Sequence, residues 1–263
     1  MLGRYLKLSE LSIKSMLAYR MNFFGGLGQS ILSLIAMWFI WNAVFSSAGV
    51  AEIRGLTLSS MITYLFVSTL MRSYSYSYVE WDMQEDARTG RITRHLTLPT
   101  AYPLFRFFVT FGEAIYNFST RAVPLMVGAL FFLNIAPPAS PLFFASIVLS
   151  YLINFSISFL TGLWVFWSGG SIWGLRFSVK TINDMVSGAF IPLYLFPDFF
   201  TKIFQLLPFA AAFHIPLSIY IGKISGAEIF SALAEQFFWV LILSVSAWLI
   251  WLRAEKKIYS QGG

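Results

Sequence analysis

The chain has 263 residues, of which 57% are hydrophobic and 11% charged; soluble domains carry about 25% charged residues, so a water-facing surface over the whole chain is excluded and lipid is the expected solvent. The formal charge of +6 does not mark a nucleic-acid binder, because Lys and Arg collect on the cytoplasmic flanks of membrane spans and have to be read loop by loop. No cysteine occurs, which excludes disulfides, thiolate zinc sites, iron–sulfur clusters and a Cys nucleophile.

Residues 1–20 set Leu6, Ile13 and Leu17 against Arg4, Lys7, Glu10 and Lys14 at nearly helical spacing. No continuous apolar run of a secretory signal is present, so this segment is expected to stay in the mature protein. It predicts an amphipathic helix lying on the cytoplasmic membrane surface. A bilayer core of about 30 Å takes about 20 apolar residues in helix. Six stretches qualify: Met21–Phe45, Thr57–Tyr78, Pro103–Leu133, Pro141–Trp167, Thr181–Phe200 and Ile229–Leu252. They are too long, and too little alternating, for barrel strands.

The basic flanks orient them. Arg4, Lys7, Lys14 and Arg20 precede the first span, and Arg88, Arg91, Arg94 and Arg106 lie between the second and third. Arg176 and Lys180 separate the fourth and fifth; Arg253, Lys256 and Lys257 follow the sixth. The other side holds Arg54, Lys202 and Lys223, so both termini are expected in the cytoplasm. Between the fifth and sixth spans, residues 196–226 are apolar but interrupted by Pro197, Pro208 and Pro216, which predicts short re-entrant helices in the outer leaflet. With no internal repeat or linker, the fold expected is an all-α integral membrane protein of one domain, residues 1–263.

Ionisable groups inside spans cost about 2.5–3.5 kcal/mol at the bilayer centre. Glu113, Asn117 and Arg121 follow i, i+4, i+8 spacing, which places them on one face of the third helix as a polar ladder. That face either lines a translocation route or ties the bundle together. Arg72 and the Ser and Tyr residues from Ser73 to Tyr78 read as an interfacial belt, and Asn183 with Asp184 as a helix N-terminal feature. His95 and His214 are expected on opposite sides of the membrane, which argues against a histidine metal site.

The most charged segment, residues 80–102, has an acidic helical start at Asp82, Glu85 and Asp86. A breaker follows at Gly90, then a short amphipathic stretch with Arg91, Ile92, Arg94, His95 and Leu96, and a stop at Pro99. This order of charges, Gly90, Ile92, Leu96 and Pro99, directly after a second span, resembles the coupling-helix signature of ABC-2-type exporter permeases. Gly188, Ala189, Phe190, Ile191 and Pro192, with Pro197 and the later Leu207, Pro208 and Phe209, resemble the end of the fifth span and the outer helices of that family. The family often has Thr after the glycine and Glu further on; Arg91 and Arg94 stand here instead.

The resemblance implies a dimer of permeases in the plasma (inner) membrane, bound to two cytoplasmic ATPase subunits. It implies export of an amphipathic, lipid-linked, glycan or drug-like substrate, with Arg88, Gly90, Arg91, Ile92, Arg94, His95, Leu96 and Pro99 at the ATPase contact. No G-x-x-x-x-G-K-[ST] run occurs, so ATP and Mg²⁺ are expected on the partner and no cofactor or metal on this chain. A lipid-modifying enzyme using Asp82, Glu85 and Asp86 for a divalent cation is the alternative. A secondary transporter would call for related halves and midplane ionisable groups on broken helices.

Overall fold

The computed structural model describes residues 2–18, 20–75, 77–97, 100–132, 135–169 and 171–261. Helix α1 (Leu2–Leu17) leads into α2 (Arg20–Ala48), a small hairpin β1 (Glu52–Ile53) and β2 (Leu56–Thr57), and α3 (Leu58–Ser75). Helices α4 (Val79–Arg88) and α5 (Arg91–Leu96) precede a long helix made of α6 (Tyr102–Asn117), a π-helical segment Phe118–Ala122 and α7 (Val123–Phe132). The rest is helical too: α8 (Leu142–Leu163), α9 (Val165–Ser168), α10 (Trp173–Val186), α11 (Asp198–Gln205), α12 (Pro208–Tyr220) and α13 (Glu228–Gln261).

Among the described residues, Phe24–Ala48, Leu142–Ser168 and Glu228–Ile258 are each long and apolar enough to cross a membrane. The chain is an all-α membrane protein. The bundle has two ends. At one, Ala139 N donates to Tyr220 O at 2.9 Å, the Tyr220 hydroxyl to Ala136 O at 2.8 Å, and Arg54 to Phe196 O and Asp198, each at 3.0 Å. At the other, Val79, Met83, Ile92, Tyr102, Leu163, Trp251 and Ala254 form one apolar cluster. The turn with Arg54, helix α11 with Lys202 and the turn with Lys223 thus share one end, and α4, α5 and the close of α13 the other.

Helix α1 is amphipathic, as expected, and packs along the start of α6. Ser9 Oγ donates to Phe108 O at 2.5 Å and Tyr5 stacks on Phe108. A Cβ at Gly112 would overlap the Ser9 backbone, so this glycine sets how closely the two helices approach.

The fifth expected span is corrected. Its helix, α10, begins at Trp173 and ends at Val186; 14 residues rise only about 21 Å, short of a bilayer core. It stops because Gly188 takes φ +81, where a Cβ would lie 3.1 Å from the Tyr64 hydroxyl. The chain then runs irregularly through residues 187–192, buried against α3. Non-helical backbone at membrane depth needs internal partners: the Tyr64 hydroxyl donates to Gly188 O at 2.7 Å, and Ser68 Oγ to Ala189 O at 2.6 Å.

A second correction concerns Pro216, which was expected to interrupt the outer segment. Pro197 caps α11 and Pro208 opens α12, but α12 continues through Pro216 to Tyr220. A proline removes the donor for the carbonyl four residues back, here Ala212 O, and Ser150 Oγ of α8 donates to that oxygen instead. Gln236 Nε2 of α13 reaches the neighbouring Ala211 O at 2.8 Å. α11 and α12 meet at 106°. The hairpin β1–β2 was not anticipated; its two-residue turn has φ 49 at Arg54 and φ 73 at Gly55, the left-handed pair of a type I′ turn.

Two substitutions test this account. Ser150→Ala leaves Ala212 O without a donor, an expected loss of about 1–3 kcal/mol. Gly188→Ala costs about 1–2 kcal/mol for the left-handed backbone alone. Each should lower the thermal unfolding midpoint of the purified protein by several degrees, and an unchanged midpoint for both would refute the backbone assignment.

Candidate functional site

Helix α4 places Asp82 and Asp86 on one face, four residues apart, toward Arg106 near the start of α6. Arg106 Nη1 donates to Asp82 Oδ2 at 3.0 Å and Nη2 to Asp86 Oδ2. Arg106 Nε donates to the Tyr102 hydroxyl at 3.1 Å, which itself donates to Asp86 Oδ2 at 2.8 Å. Arg91 Nε lies 3.4 Å from Asp86 Oδ1, and His95 Nε2 lies 3.8 Å from Asp86 Oδ2. Glu85 turns outward and pairs with Arg88. The three carboxylates therefore serve arginines, and no group of three or more metal-ligating side chains exists among the described residues.

Gly90, at φ 71, reverses the chain so that α5 can begin. A Cβ there would meet no atom; the position needs glycine for its backbone conformation, not for space. Ile92 is buried in the apolar cluster and pins α5 to the bundle, while Gly90, Arg88, Arg91 and Arg94 are exposed. Leu96 is half-buried and His95 lies 4.4 Å from the Phe105 ring, centroid to centroid. Burial lowers the His95 pKa below its ordinary value against the pull of Asp86. Pro99 lies outside the described residues. The expected projection is thus a single helical turn, anchored by one isoleucine and presenting a ridge of arginines.

The other end of α4 reaches the start of α10. Arg176 Nε donates to Glu80 Oε1 at 2.7 Å and Ile172 N to Gln84 Oε1 at 3.1 Å. Gly162 of α8 lets α4 approach, since a Cβ there would come within 3.0 Å of Glu80 Cα. Burial raises the Glu80 pKa despite Arg176.

Beyond this contact opens a cavity of about 180 Å³. Gln29, Ser30 and Ser33 of α2 line it with Thr69, Arg72 and Ser73 of α3 and, just past α3, Ser77, Tyr78 and Glu80. Asn154, Ser158 and Thr161 of α8 and Arg176, Lys180 and Asn183 of α10 complete the polar wall. Asn117 and Arg121 also line it; Glu113 does not. The π-helical segment begins directly after Asn117 and breaks the i, i+4 register. Arg121 is thereby directed at Gly26 of α2, where a Cβ would strike its guanidinium, whereas Glu113 lies within electrostatic reach of Tyr151.

Arg72, in the last turn of α3, sits 3.7 Å over the Phe190 ring. Arg176 and Lys180, expected in a loop, are inside α10 and face the cavity. Asn183 does the same from the last turns of α10 instead of a helix start. Of the outer residues, Gly188 and Pro192 flank the irregular segment, and Pro197 and Pro208 begin α11 and α12. The α2 and α8 linings were missed. Their signal was present: Gln29 with Ser33, and Asn154 with Ser158, are polar pairs four apart within predominantly apolar helices.

A multi-pass bundle with a polar cavity and a short basic helix projecting from one end is the membrane part of a transport system. A family model described as ABC-2 family transporter protein matches residues 31–262. The chain belongs to the ABC-2 transporter family and is an ABC-transporter permease. No curated protein matches it.

Arg106→Met removes the counter-charge of a buried carboxylate and should cost about 3–5 kcal/mol. The double variant Arg106→Met with Asp86→Leu should recover much of that loss in thermal unfolding; a double variant no more stable than the single one would mean that the pair does not act as a unit.

Proposed function

We propose that this chain is the membrane-spanning permease of an ATP-driven exporter in the plasma (inner) membrane, with hydrolysis on a separate ATPase. The observation that carries the reading is the family match over residues 31–262 joined to the arginine-bearing α5 at the end where α13 closes. In this reading the crossings are α2, α3, α6 through α7, α8, α10 with the irregular segment, and α13. α11 and α12 form the outer re-entrant pair, and both termini are cytoplasmic. Two such permeases and two ATPase subunits make the working assembly, with ATP and Mg²⁺ held by the ATPases and an amphipathic, lipid-linked, glycan or drug-like molecule as cargo.

The mechanical step follows from α4. Closure of an ATPase dimer displaces whatever docks on it, here Arg88, Arg91, Arg94 and the turn they flank. α4 is fixed to α6 by Arg106 and to α10 by Glu80 and Gln84. Motion of α5 therefore reaches the cavity wall without a flexible joint other than Gly90. The enzyme alternative is not carried forward, because its three carboxylates are engaged by Arg106 and Arg88.

The chain has no cysteine, so Thr93→Cys introduces a single cross-linking site on α5. The expected result is a disulfide or maleimide cross-link from this position to a polypeptide that also photolabels with ATP. Replacing Arg88, Arg91 and Arg94 together by Glu should cut co-purification of that ATPase at least tenfold. Co-purification unaffected by the triple replacement would remove α5 from the contact, and no ATPase partner for the unmodified chain would overturn the reading.

A further inference from the structure

We propose that the seam between α2 and α3 binds a membrane amphiphile with a sugar headgroup, the sugar in the polar cavity and its apolar chain in a groove beside it. This names a cargo class for the permease and rests on that reading only for the direction of movement; occupancy of the seam is a property of the chain alone.

The first ground is a change of polarity along one continuous stripe. A second cavity, of about 210 Å³, is walled by Leu34, Met37 and Trp38 of α2 and by Ile62, Leu65 and Phe66 of α3. The same two helices give Gln29, Ser30 and Ser33, and Thr69, Arg72 and Ser73, to the polar cavity of about 180 Å³. Residues three and four apart share a helix face, so Ser30, Leu34 and Trp38 form one row on α2, and Ile62, Phe66, Thr69 and Ser73 one row on α3. The hairpin β1–β2 reverses the chain between the helices, so the polar ends of the two rows lie together, and so do the apolar ends. Polarity switches once, between Ser33 and Leu34 on α2 and between Phe66 and Thr69 on α3. Ile35 and Trp38 are exposed on a helix apolar enough to cross a membrane, so the groove opens to acyl chains. An occupant of both parts has to be polar at one end and apolar at the other. Each part by itself is smaller than the ~300–1,000 Å³ of sites for drug-sized ligands.

The second ground is hydrogen bonding. Buried polar groups in this fold generally find partners: Ser68 takes Ala189 O, Ser150 takes Ala212 O, and Gln236 binds Ser146 and Ala211. At the polar cavity the pattern fails. Ser77 Oγ, Glu80 Oε2, Arg121 Nε and the side-chain oxygens of Asn117 and Asn183 are buried with no partner, and Glu80, Asn117 and Asn183 are only 6%, 6% and 5% exposed. Glu80 Oε2 and the two amide oxygens only accept, so a ligand has to bring donors. The cations of the wall call for no anion: Arg176 is paired with Glu80, Arg72 lies over the Phe190 ring and Lys180 is exposed. A phosphate or carboxylate headgroup has no proton to give and would meet the Glu80 oxygen, and an ammonium would stand among arginines. A hydroxyl both donates and accepts. A ring carrying several of them serves the three oxygens and accepts from Ser77 and Arg121 in return.

The test uses the purified full chain in phosphatidylcholine nanodiscs and three photoreactive probes that share one octyl chain: a glucoside, a phosphocholine and a carboxylate. The glucoside should label residues 34–38 and 62–66 saturably and about tenfold more than the other two probes. The exposed Phe237, Leu241 and Val245 of α13 should take all three alike. Unmodified octyl glucoside should compete, and free glucose about tenfold less. Ile62→Trp fills the groove and should cut seam labelling about fivefold, while Asn117→Leu combined with Asn183→Leu should erase the preference for the glucoside and leave labelling by the chain. Lys256→Gln, an exposed cation, should change nothing. Equal labelling of the seam by the three probes, competition by glucose as strong as by octyl glucoside, or an unchanged preference in the folded double variant overturns the proposal. Should the double variant fail to fold, Ser33→Leu takes its place under the same criterion. A disulfide between two copies at Ile35→Cys with an unlabelled seam gives the groove to a second copy and overturns the proposal as well. A chain that co-purifies with its ATPase but shows no preference loses the site and keeps the permease reading; one that prefers the glucoside without any ATPase does the reverse.

Discussion

The architecture of the end built by α4 and α5 depends on how Arg106 is held. Its guanidinium is nearly buried and reaches Asp82, Asp86 and the Tyr102 hydroxyl together. A buried cation with no partner is strongly destabilising, and a buried pair gains back its desolvation only when its remaining donors and acceptors are met. Two carboxylates one helical turn apart fix α4 against rotation as well as against translation, because either motion breaks one of the two pairs. The short α5 then inherits a defined position, and so does Glu80 at the opposite end of α4. Without this clamp, force applied at Gly90 would be dissipated in the loop.

Helix α10 is bounded at both ends. Near Trp173 it is tied to α4 through Ile172 and Arg176; past Val186 its trailing carbonyls are held by Tyr64 and Ser68 of α3. Between these ends its outer face is apolar and exposed, with Trp173, Phe177, Ile182 and Met185, and its inner face carries Arg176, Lys180 and Asn183 into the cavity. A short helix with a cationic inner face and two hydrogen-bonded termini moves as one body. Packed interfaces switch between discrete arrangements rather than deforming smoothly, so a shift of α10 changes the distances among the cavity cations together.

Hydropathy read α2, α8 and α13 correctly because lipid imposes one simple requirement on them, about 20 apolar residues. It misplaced α10 for the same reason. This helix is short, carries Arg176 and Lys180, and completes its path with irregular backbone buried in protein, a solution that depends on Tyr64 and Ser68 more than a hundred positions earlier. Gly188 was noticed but its partners could not be. Pro216 misled similarly, since the donor that rescues Ala212 O belongs to α8. The Gly90 turn was legible, being local: a breaker among charges; Ile92 was expected at the ATPase contact and is instead buried in the apolar cluster. The polar ladder was half legible, because i, i+4 spacing holds in α6 but not across the π-helical segment. The acidic cluster was legible as a cluster and misleading as chemistry, since its counter-charge lies on α6.

The basic residues serve two physical ends that their sequence positions do not separate. Arg88, Arg91 and Arg94 are exposed, where a cation costs little; Arg88 pairs with Glu85 and Arg91 lies near Asp86. Arg72, Arg121, Arg176 and Lys180 line the cavity, with Arg72 over the Phe190 ring and Arg176 paired with Glu80. On the proposed reading a displacement of α5 would reach α10 through α4; α10 carries Arg176 and Lys180, whereas Arg72 and Arg121 belong to α3 and the π-helical segment of the long third helix, so that such a movement would part the two groups of cations.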